Sequence, residues 1–390
     1  MRESTHVVVI GAGPAGLTLA NLLRSAGVGC VVLERQSRSY VERRQRAGVL
    51  DHASTRVFEE WGLADAVLAG TPEDRAIEIR VDGEPHVLDL RALSGGRTGR
   101  AVPQQVIVAR LMAAFQDGGG DLRFDAGEVT PHGIDGAGPT VTYRDPAGTL
   151  HEIACDYIAG CDGHHGVTRA SVPAQAMTTY SYDHGIGWFT VLADAPPPRL
   201  PLFAISSHGF AAQFPRGPAA CRLYLECAPD DVPDDWNDER IWKQARLRLG
   251  DDALPAGPIT EKGVVEMRSF VADPMRYGRL FLVGDAAHII TPMGGKGMNL
   301  AIADADVLAR ALRAALHDGD EEPLAAYSAT CLRKVWNQQE FSRWLTEMMH
   351  ESGDAALAGS FRRQLARARL DRLFTSEPAA RAVADLLAGG

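Results

Sequence analysis

The chain has 390 residues, of which 45% are hydrophobic and 23% charged, a composition typical of a globular protein large enough for two packed lobes. Its formal net charge of -10 disfavours nucleic acid or an anionic membrane as a partner, because those surfaces recruit clustered Lys and Arg. No apolar run is long enough to span a membrane, and six scattered cysteines favour free thiols, so a cytoplasmic protein without a metal site is expected.

The N-terminal segment alternates strand, turn, helix and strand. An apolar run at 6–10 leads into glycine-rich residues 11–16, helical apolar spacing follows at 17–26, and a second strand at 30–33 ends at Glu34. This pattern predicts a βαβ unit that starts a parallel, doubly wound sheet. The first strand begins so close to Met1 that no signal peptide is expected.

The glycine-rich turn has the spacing G-x-G-x-x-G. Gly11 permits a tight turn, Gly13 lets a pyrophosphate approach the backbone, and Gly16 lets the helix pack on the strand. The helix N-terminus offers N–H groups and a positive dipole end to the phosphates. Glu34 stands where an acidic side chain would accept ribose hydroxyls, so the turn predicts a dinucleotide cofactor.

The middle of the chain carries short alternating strands broken by Gly and Pro, at 77–90, 141–153 and 185–226. This pattern predicts a largely antiparallel sheet. A helix is predicted at 104–115, and an apolar strand from Tyr157 ends in Cys161-Asp162-Gly163.

A strand-turn-helix pattern returns after Arg279. Asp285 ends the strand and could accept ribityl hydroxyls, and residues 292–299 form a glycine-rich stretch before a long apolar helix. Backbone N–H groups and the positive end of that helix would stabilise negative charge on a reduced flavin. From about residue 322 the chain is predicted to be amphipathic helix.

The predicted fold is therefore mixed α/β, with a Rossmann-like FAD-binding domain interleaved with an antiparallel-sheet substrate domain and followed by C-terminal helices. The expected boundaries are 1–75, 100–180 and 270–320 for the FAD-binding domain, 76–99 and 181–269 for the substrate domain, and 321–390 for the helical region.

Three segments resemble, in order and spacing, the fingerprints of the flavoprotein aromatic hydroxylases: residues 11–16 with Glu34-Arg35, Cys161-Asp162-Gly163, and Gly284-Asp285. Residues 44–50, 155–163 and 284–299 resemble the para-hydroxybenzoate hydroxylase family closely. The resemblance weakens only after about Thr346. A general dinucleotide-binding fold would match the first fingerprint alone.

The motifs and the resemblance imply that FAD contacts residues from several segments: Gly11, Gly13, Ala15, Gly16, Glu34, Arg35, Arg44, Arg46, Ala47, Gly48, Val49, Gln104, Asp162, Asp285, Gly297, Met298 and Asn299. The resemblance also implies a nicotinamide coenzyme lying across the surface, which the flavin swings out to meet. Its expected contacts are Arg35, Gln36, Arg38, Tyr40, Arg44, His165 and Arg268. The cations around Arg38 favour NADPH over NADH, because a 2'-phosphate needs positive charge.

Arg222 and Tyr224 are two residues apart on a predicted strand and so share a face, with Arg216 just before it. Together they could offer a guanidinium fork and a phenol to a carboxylate. The resemblance implies that Arg216 and Tyr224 bind the substrate carboxylate, that Arg222 packs by the flavin, and that the Pro292 carbonyl touches the ring's para substituent. Arg222, Pro292 and Lys296 form the expected catalytic set.

The chain departs from the family at the proton relay. The family ionises its phenolic substrate through two tyrosines and a histidine, whereas the matching positions here are Phe203, Leu387 and Asp74. A serine and a threonine of the family match Phe214 and Met293, which makes the pocket more apolar. The expected substrate contacts are therefore Phe203, Phe214, Arg216, Tyr224, Pro292, Met293 and Leu387.

These observations predict a monooxygenase that uses NAD(P)H and O2 to hydroxylate a small aromatic carboxylate, and the resemblance implies a homodimer. The lost relay favours an electron-rich ring that needs no ionisation, such as 3-amino-4-hydroxybenzoate or 4-aminobenzoate. Alternatives are decarboxylative hydroxylation at the carboxyl-bearing carbon and a non-catalytic flavin-binding protein. A flavin halogenase is disfavoured because its Trp-x-Trp-x-x-Pro motif does not occur.

Overall fold

The computed structural model describes residues 3–44, 48–350 and 360–390. Its helices are α1 (Pro14–Ser25), α2 (Arg38–Arg43), α3 (His52–Glu60), α4 (Ala64–Leu68), α5 (Leu90–Leu93), α6 (Gln104–Asp117), α7 (Val167–Ala170), α8 (Asp238–Leu249), α9 (Gly297–Arg313), α10 (Glu322–Met349), α11 (Ser360–Thr375) and α12 (Glu377–Leu387). Its strands are β1 (Glu3–Ile10), β2 (Cys30–Leu33), β3 (Val49–Leu50), β4 (Glu73–Asp74), β5 (Ala76–Val81), β6 (Glu84–Asp89), β7 (Gly99–Ala101), β8 (Asp121–Arg123), β9 (Gly127–His132), β10 (Thr140–Arg144), β11 (Leu150–Gly160), β12 (Thr178–Ala193), β13 (Leu202–Ser206), β14 (Gly209–Pro215), β15 (Cys221–Cys227), β16 (Ile259–Asp273), β17 (Arg276–Tyr277), β18 (Leu280–Leu282) and β19 (His288–Ile289).

The first sheet has the strand order β17-β18-β11-β1-β2-β8, and β1 pairs in parallel with both β2 and β11. In register, Ile10 lies opposite Gly160, which in turn lies opposite Leu282. The carboxyl ends of β1, β11 and β18 therefore lie side by side. Each of the three predicted cofactor motifs begins within two residues of one of these strand ends. The predicted βαβ opening is confirmed, with the helix beginning at Pro14 rather than at Leu17.

The antiparallel pairing predicted for residues 141–153 is confirmed, but their grouping with the other strands in the middle of the chain was wrong. β10 pairs antiparallel with the first half of β11, whereas the second half of β11 pairs in parallel with β1. Both strands therefore belong to the first sheet. The local alternation of residues is the same for either kind of partner, which is why the sequence pattern did not reveal the difference.

The second sheet has the order β19-β16-β12-β15-β14-β13-β5-β6 and is largely antiparallel, as predicted. Its two faces bury different sets of side chains. One face holds Phe189, Leu223 and Leu225, which pack with α8, whereas the other holds Trp188 and Tyr224 and faces the C-terminal helices. This second face bears the predicted substrate residues.

Helix α10 joins the two cores. Its first half, including Tyr327 and Val335, packs in the core of the first sheet, and its second half, including Phe341 and Met348, packs in the core below the second sheet. The mixed α/β class with C-terminal helices is thus confirmed. Among the described residues, no helix has the length and apolar character needed to cross a membrane.

Candidate active site

Three chain reversals pack directly on one another at the carboxyl edge of the first sheet. A Cβ placed on Gly11, whose φ is +106°, would lie 2.4 Å from the Cys161 carbonyl oxygen. One placed on Gly16 would lie 1.9 Å from the carbonyl oxygen of Gly11. Gly284 lies on the other side of this contact, against Ala15 and Ala301. The glycines therefore let the three predicted fingerprints touch.

The N-terminus of α1 remains open beside this contact. Gly13 is its N-cap and offers no side chain, and a Cβ built there would meet no atom within 4 Å. The first turn carries no acidic residue. Backbone N–H groups and the positive end of the helix dipole are thus available to phosphate groups, as the cofactor prediction requires.

Glu34 ties the glycine turn to the end of β2. Its two carboxylate oxygens accept hydrogen bonds from the backbone N–H groups of Ala12, at 2.7 Å, and Gln36, at 2.8 Å. The side chain is buried. Because each carboxylate oxygen has a second lone pair, Glu34 can still accept a ribose hydroxyl.

Asn299, in the first turn of α9, holds a second group of predicted FAD residues. Its side-chain amide donates to the carbonyls of Val49, at 3.0 Å, and Gly295, at 2.7 Å, and its oxygen accepts from the N–H of Asp51. Gly48 packs against the backbone that leads into Gln104. Gly48, Val49, Gln104 and Asn299 are therefore brought to the N-terminus of α9, which also contains Gly297 and Met298.

Arg46 and Ala47 lie outside the described residues. Asp162 is described, and both of its carboxylate oxygens are used within its own loop, where they accept from the N–H of Thr168, at 2.9 Å, and from its hydroxyl, at 2.5 Å. Asp162 therefore caps α7. Its proposed contact with FAD stays a prediction.

A buried carboxylate that the sequence reasoning missed lies behind the Gly284–Asp285 turn. Asp304 accepts hydrogen bonds from the Gly284 N–H, at 3.0 Å, and from His288 Nε2, at 2.7 Å. Burial lowers the pKa of His288, but the carboxylate of Asp304 outweighs it and the net pKa is raised. One acid on the apolar face of α9 thus fixes the turn that carries Asp285. A buried acid within an otherwise apolar helix is the sequence signal that could have revealed it.

The predicted coenzyme residues form two separate groups. Arg35, Arg38, Tyr40 and Arg44 are exposed on and around α2, with Gln36 half-buried, and Arg38 contacts Gln116, Glu42 and the ring of Phe124.

His165 and Arg268 belong to the second group, beside His164. Burial, together with Arg169 and Arg268, lowers the pKa of the neighbouring His164 to about 4. Within the described part of the chain, no hydrogen bond or ion pair joins this group to α2. The joint binding of one coenzyme by both groups stays a prediction.

Five predicted substrate residues share one apolar cluster: Phe203, Phe214, Tyr224, Met293 and Leu387. The ring of Phe214 stands edge-on to Phe203, at 5.3 Å, and to Tyr224, at 5.6 Å between centroids. Edge-to-face packing of this kind fixes ring orientations. The cluster therefore presents a rigid aromatic wall. Pro292 is exposed beside Met293.

Two guanidinium groups lie at the edge of this wall. Arg216 is half-buried beside Tyr224; burial lowers the pKa of its guanidinium, and Tyr224 opposes that effect. No carboxylate of the described residues pairs with it. Arg222 pairs with Glu261 at 3.3 Å, but its buried Nε has no hydrogen-bond partner. The arrangement leaves positive charge unbalanced, which favours an anionic ligand.

Lys296, a predicted catalytic residue, is 1% exposed. Its ammonium donates to the Asp51 carboxylate at 3.1 Å and to the Leu387 carbonyl oxygen at 2.9 Å. Burial lowers its pKa and Asp51 opposes that effect. Lys296 therefore ties α3 to the end of α12, and a direct catalytic role stays a prediction.

Asp74, which replaces the family's relay histidine, is a carboxyl group without a described hydrogen-bond or charge partner. Burial raises its pKa to about 6. The position thus keeps a group that titrates near neutral pH, although Phe203 and Leu387 provide no hydroxyl between it and the pocket.

Comparisons with known proteins agree with this geometry. A family model described as an FAD binding domain matches residues 4–342. A p-hydroxybenzoate hydroxylase from Acinetobacter baylyi is 39% identical over 350 residues, which is 89% of this chain and 86% of that protein. A probable NADH-specific resorcinol 4-hydroxylase from Rhodococcus jostii is 26% identical, covering 94% and 70% of the two chains.

The chain belongs to the FAD-dependent aromatic hydroxylases. Solved structures share the fold: p-nitrophenol 4-monooxygenase from Pseudomonas putida, at 20% identity, has a TM-score of 0.85 and matches 100% of this chain and 99% of its own. A ternary complex of aklavinone-11 hydroxylase with FAD and aklavinone has a TM-score of 0.76 at 23% identity, covering 90% and 70%.

FAD is the cofactor of this hydroxylase, and the residues present fit it. The open end of α1, Glu34 and the glycine stretch before α9 would hold its pyrophosphate, ribose and flavin ends. When bound, FAD supplies the redox chemistry that activates O2, whereas the protein's own groups orient the cofactor and substrate.

The Asp304–His288 pair yields a prediction about FAD affinity. Asp304→Asn should weaken FAD binding about tenfold or more, because it leaves a buried His288 charge without a counter-ion and loosens the Gly284 turn. Flavin fluorescence during titration of the apoprotein measures the dissociation constant.

The matched control is Asp306→Asn on the same helix. Asp306 bonds Trp61 and Arg310 and does not contact the turn, so FAD affinity should stay within about twofold of the parent value. Equal losses in the two variants would contradict the assignment of Asp304.

Proposed function

We propose that this hydroxylase acts on a small benzoate whose ring is activated by an amino group, with NADPH and O2 as co-substrates. One observation carries the proposal: the Arg216 guanidinium, which has no described carboxylate partner, lies beside an aromatic wall that lacks the hydroxyl groups of a proton relay. The first feature favours a carboxylate, and the second favours a ring that needs no deprotonation.

The carboxylate end follows from charge. Arg216 has lost part of its hydration on burial, and the Tyr224 phenol is the side chain beside it that favours the charged guanidinium. A bound carboxylate would accept from both groups and restore the lost hydrogen bonds. Because the whole chain carries a net charge of -10, attraction of an anion depends on this local positive charge.

The opposite end of the ring would meet the Pro292 carbonyl, which can only accept a hydrogen bond. An amino group donates to a carbonyl while keeping the nitrogen lone pair that enriches the ring. A phenol activates its ring most strongly after losing its proton, and Phe203 and Leu387 offer no group to take that proton. This contrast favours the amino-substituted benzoate.

Unmodified 4-hydroxybenzoate is the second candidate. The 39% identical relative is named p-hydroxybenzoate hydroxylase, and Asp74 supplies one titratable group on the relay side. In this alternative, water would have to bridge the pocket to Asp74.

NADPH is proposed as the reductant, with NADH as the weaker alternative. Exposed cations on and around α2 would bind the 2'-phosphate, which NADH lacks. The proposal includes a homodimer, as the family resemblance implies, and a reducing cytoplasmic compartment, which the six free cysteines support.

The coenzyme proposal predicts that Arg38→Ala narrows the preference for NADPH over NADH by about tenfold, the scale of one charged hydrogen bond to phosphate. Steady-state kcat/KM for both coenzymes measures it. Arg43→Ala on the same helix is the control, since Arg43 bonds only Ser39 among the described residues. Equal use of both coenzymes by the parent protein would remove the basis for this prediction.

The carboxylate proposal predicts that Arg216→Ala weakens binding of a carboxylated ligand by about 10- to 100-fold while hardly changing binding of its amide or methyl ester. Only the carboxylate completes a charged pair. Perturbation of the flavin absorbance during titration with each ligand gives the three dissociation constants. A uniform loss across the three ligands would indicate structural damage instead.

The substrate proposal predicts that bound 4-hydroxybenzoate stays un-ionised near neutral pH and is hydroxylated poorly, whereas 4-aminobenzoate or 3-amino-4-hydroxybenzoate gives coupled product. Ultraviolet titration of each bound ligand, alongside product yield per NADPH oxidised, tests both parts. Phe203→Tyr alone should rescue little, because Leu387 still interrupts the path. Efficient, coupled hydroxylation of 4-hydroxybenzoate by the parent enzyme would overturn the amino-substituent proposal.

A further inference from the structure

Four buried polar side chains lie along α10 and on the residue that follows it: Gln339, Ser342, Thr346 and the C-cap residue His350. The spacing of three and four residues places the first three in one row along the helix, and His350 follows directly after its last turn. Each is 6% exposed or less. Buried polar groups are costly unless they are hydrogen-bonded, so the partners of this row, here called the α10 seam, carry information about its role.

The middle of the seam fastens the segment that carries Pro292. Ser342 Oγ donates to the Met293 carbonyl at 2.8 Å, and the Thr291 hydroxyl lies 2.5 Å from Ser342 Oγ and 3.1 Å from Thr346 Oγ1. At its start, Gln339 donates to the Ile289 carbonyl at 2.7 Å. The ladder between β19 and β16 ends at Ile289. Beyond that point, these seam bonds replace sheet hydrogen bonds in positioning residues 291–293.

The C-terminal end of the seam reaches the second sheet. The Trp188 indole N–H donates to His350 Nε2 at 2.7 Å, and His350 Nδ1 lies 3.0 Å from the Thr346 carbonyl. Since an indole N–H can only donate and a carbonyl can only accept, the imidazole is neutral with its proton on Nδ1. Burial lowers the pKa of His350 to about 3, which agrees with this state.

Trp188 in turn packs on the proposed substrate wall. Its ring lies 4.7 Å from that of Tyr224 and 5.3 Å from that of Phe210. The seam is therefore a continuous series of hydrogen bonds that begins at the loop with the Pro292 carbonyl and ends at the indole behind Tyr224. Those are the two sites proposed to hold opposite ends of the substrate ring.

We propose that Ser342 and His350 are positioning residues that set the distance between the loop at residues 291–293 and the aromatic wall at Trp188 and Tyr224. This distance would select the length of the aromatic acid for which NADPH oxidation is coupled to hydroxylation. This inference rests on the proposed function of the site. Neither residue is proposed to touch the substrate, since each acts through Met293 and Thr291 or through Trp188.

Apolar packing alone would hold α10 against the loop, because Phe341 and Leu345 already lie against Gly294. Apolar contacts are non-directional, whereas the seam's hydrogen bonds require defined distances and angles. Loss of a seam bond should therefore loosen the geometry of the site more than it destabilises the fold. In a hydroxylase, such looseness appears as NADPH oxidation without product.

The test compares four variants of the FAD-loaded protein. His350→Leu and Ser342→Ala break the seam. His350→Gln keeps an acceptor for Trp188 and is the conservative rescue. Ser328→Ala is the matched control, because Ser328 is on the same helix and its buried hydroxyl has no described hydrogen-bond partner. Thermal unfolding and FAD content establish that each variant is folded.

Two readouts follow. Hydrogen exchange by mass spectrometry should show the peptide containing residues 289–296 exchanging about fivefold faster or more in His350→Leu and Ser342→Ala, and near the parent rate in the other two variants. The amount of product formed per NADPH oxidised should fall about twofold or more in the same two variants. The difference in this ratio between 4-aminobenzoate and its longer homologue 4-aminophenylacetate should also become smaller.

If no aromatic acid stimulates NADPH oxidation by the parent protein, the proposed function fails, and the exchange data decide alone whether the seam holds the loop. Exchange and coupling in His350→Leu and Ser342→Ala that match those of Ser328→Ala would overturn the inference.

Discussion

The geometry of the cofactor site depends on a steric constraint: three chain reversals pack so closely that a Cβ atom would not fit between them. Gly11 and Gly16 allow the turn after β1 to pack against the Cys161 carbonyl, and Gly284 closes the contact from the third strand. Parallel strands bring their carboxyl ends to one edge, but only these glycines let the reversals meet there. The start of α1 and the Asp304-supported turn thus lie against each other, with Gly284 packed on Ala15.

Charge is distributed to suit an anionic cofactor and the anionic substrate that we propose. The described cofactor edge offers two helix N-termini without side-chain caps, those of α1 and α9. The substrate wall holds Arg216 and Arg222, and only Arg222 has a described carboxylate partner. In contrast, the buried pairs Lys296–Asp51 and His288–Asp304 are internally balanced. Balanced pairs support the site, whereas the unbalanced guanidinium is available to bind a ligand.

The sequence was sufficient to predict features that depend on residues only a few positions apart. The glycine turn, the strand ending at Glu34 and the row of Arg222 and Tyr224 each occupy a few neighbouring positions, and the fold class followed from them. The family resemblance also predicted a common set of substrate contacts, and the structure places five of them in one cluster: Phe203, Phe214, Tyr224, Met293 and Leu387.

Features formed by distant side chains could not be predicted in the same way. The bond between Trp188 and His350 joins residues 162 positions apart, and no local pattern encodes it. The change of partner along β11 and the capping role of Asp162 likewise depend on tertiary neighbours. Arg46 and Ala47 lie outside the described residues.

We propose that the protein inserts one oxygen atom from O2 into an aromatic acid at a site formed by the three fingerprints and the aromatic wall. The most direct measurement uses the FAD-loaded protein, NADPH, 18O2 and a panel of amino- and hydroxybenzoates, with mass analysis of the products. We expect one labelled oxygen on the ring of a hydroxylated acid that keeps its carboxylate. NADPH oxidation that yields only peroxide with every acid, or a ring oxygen that comes from water, would contradict it.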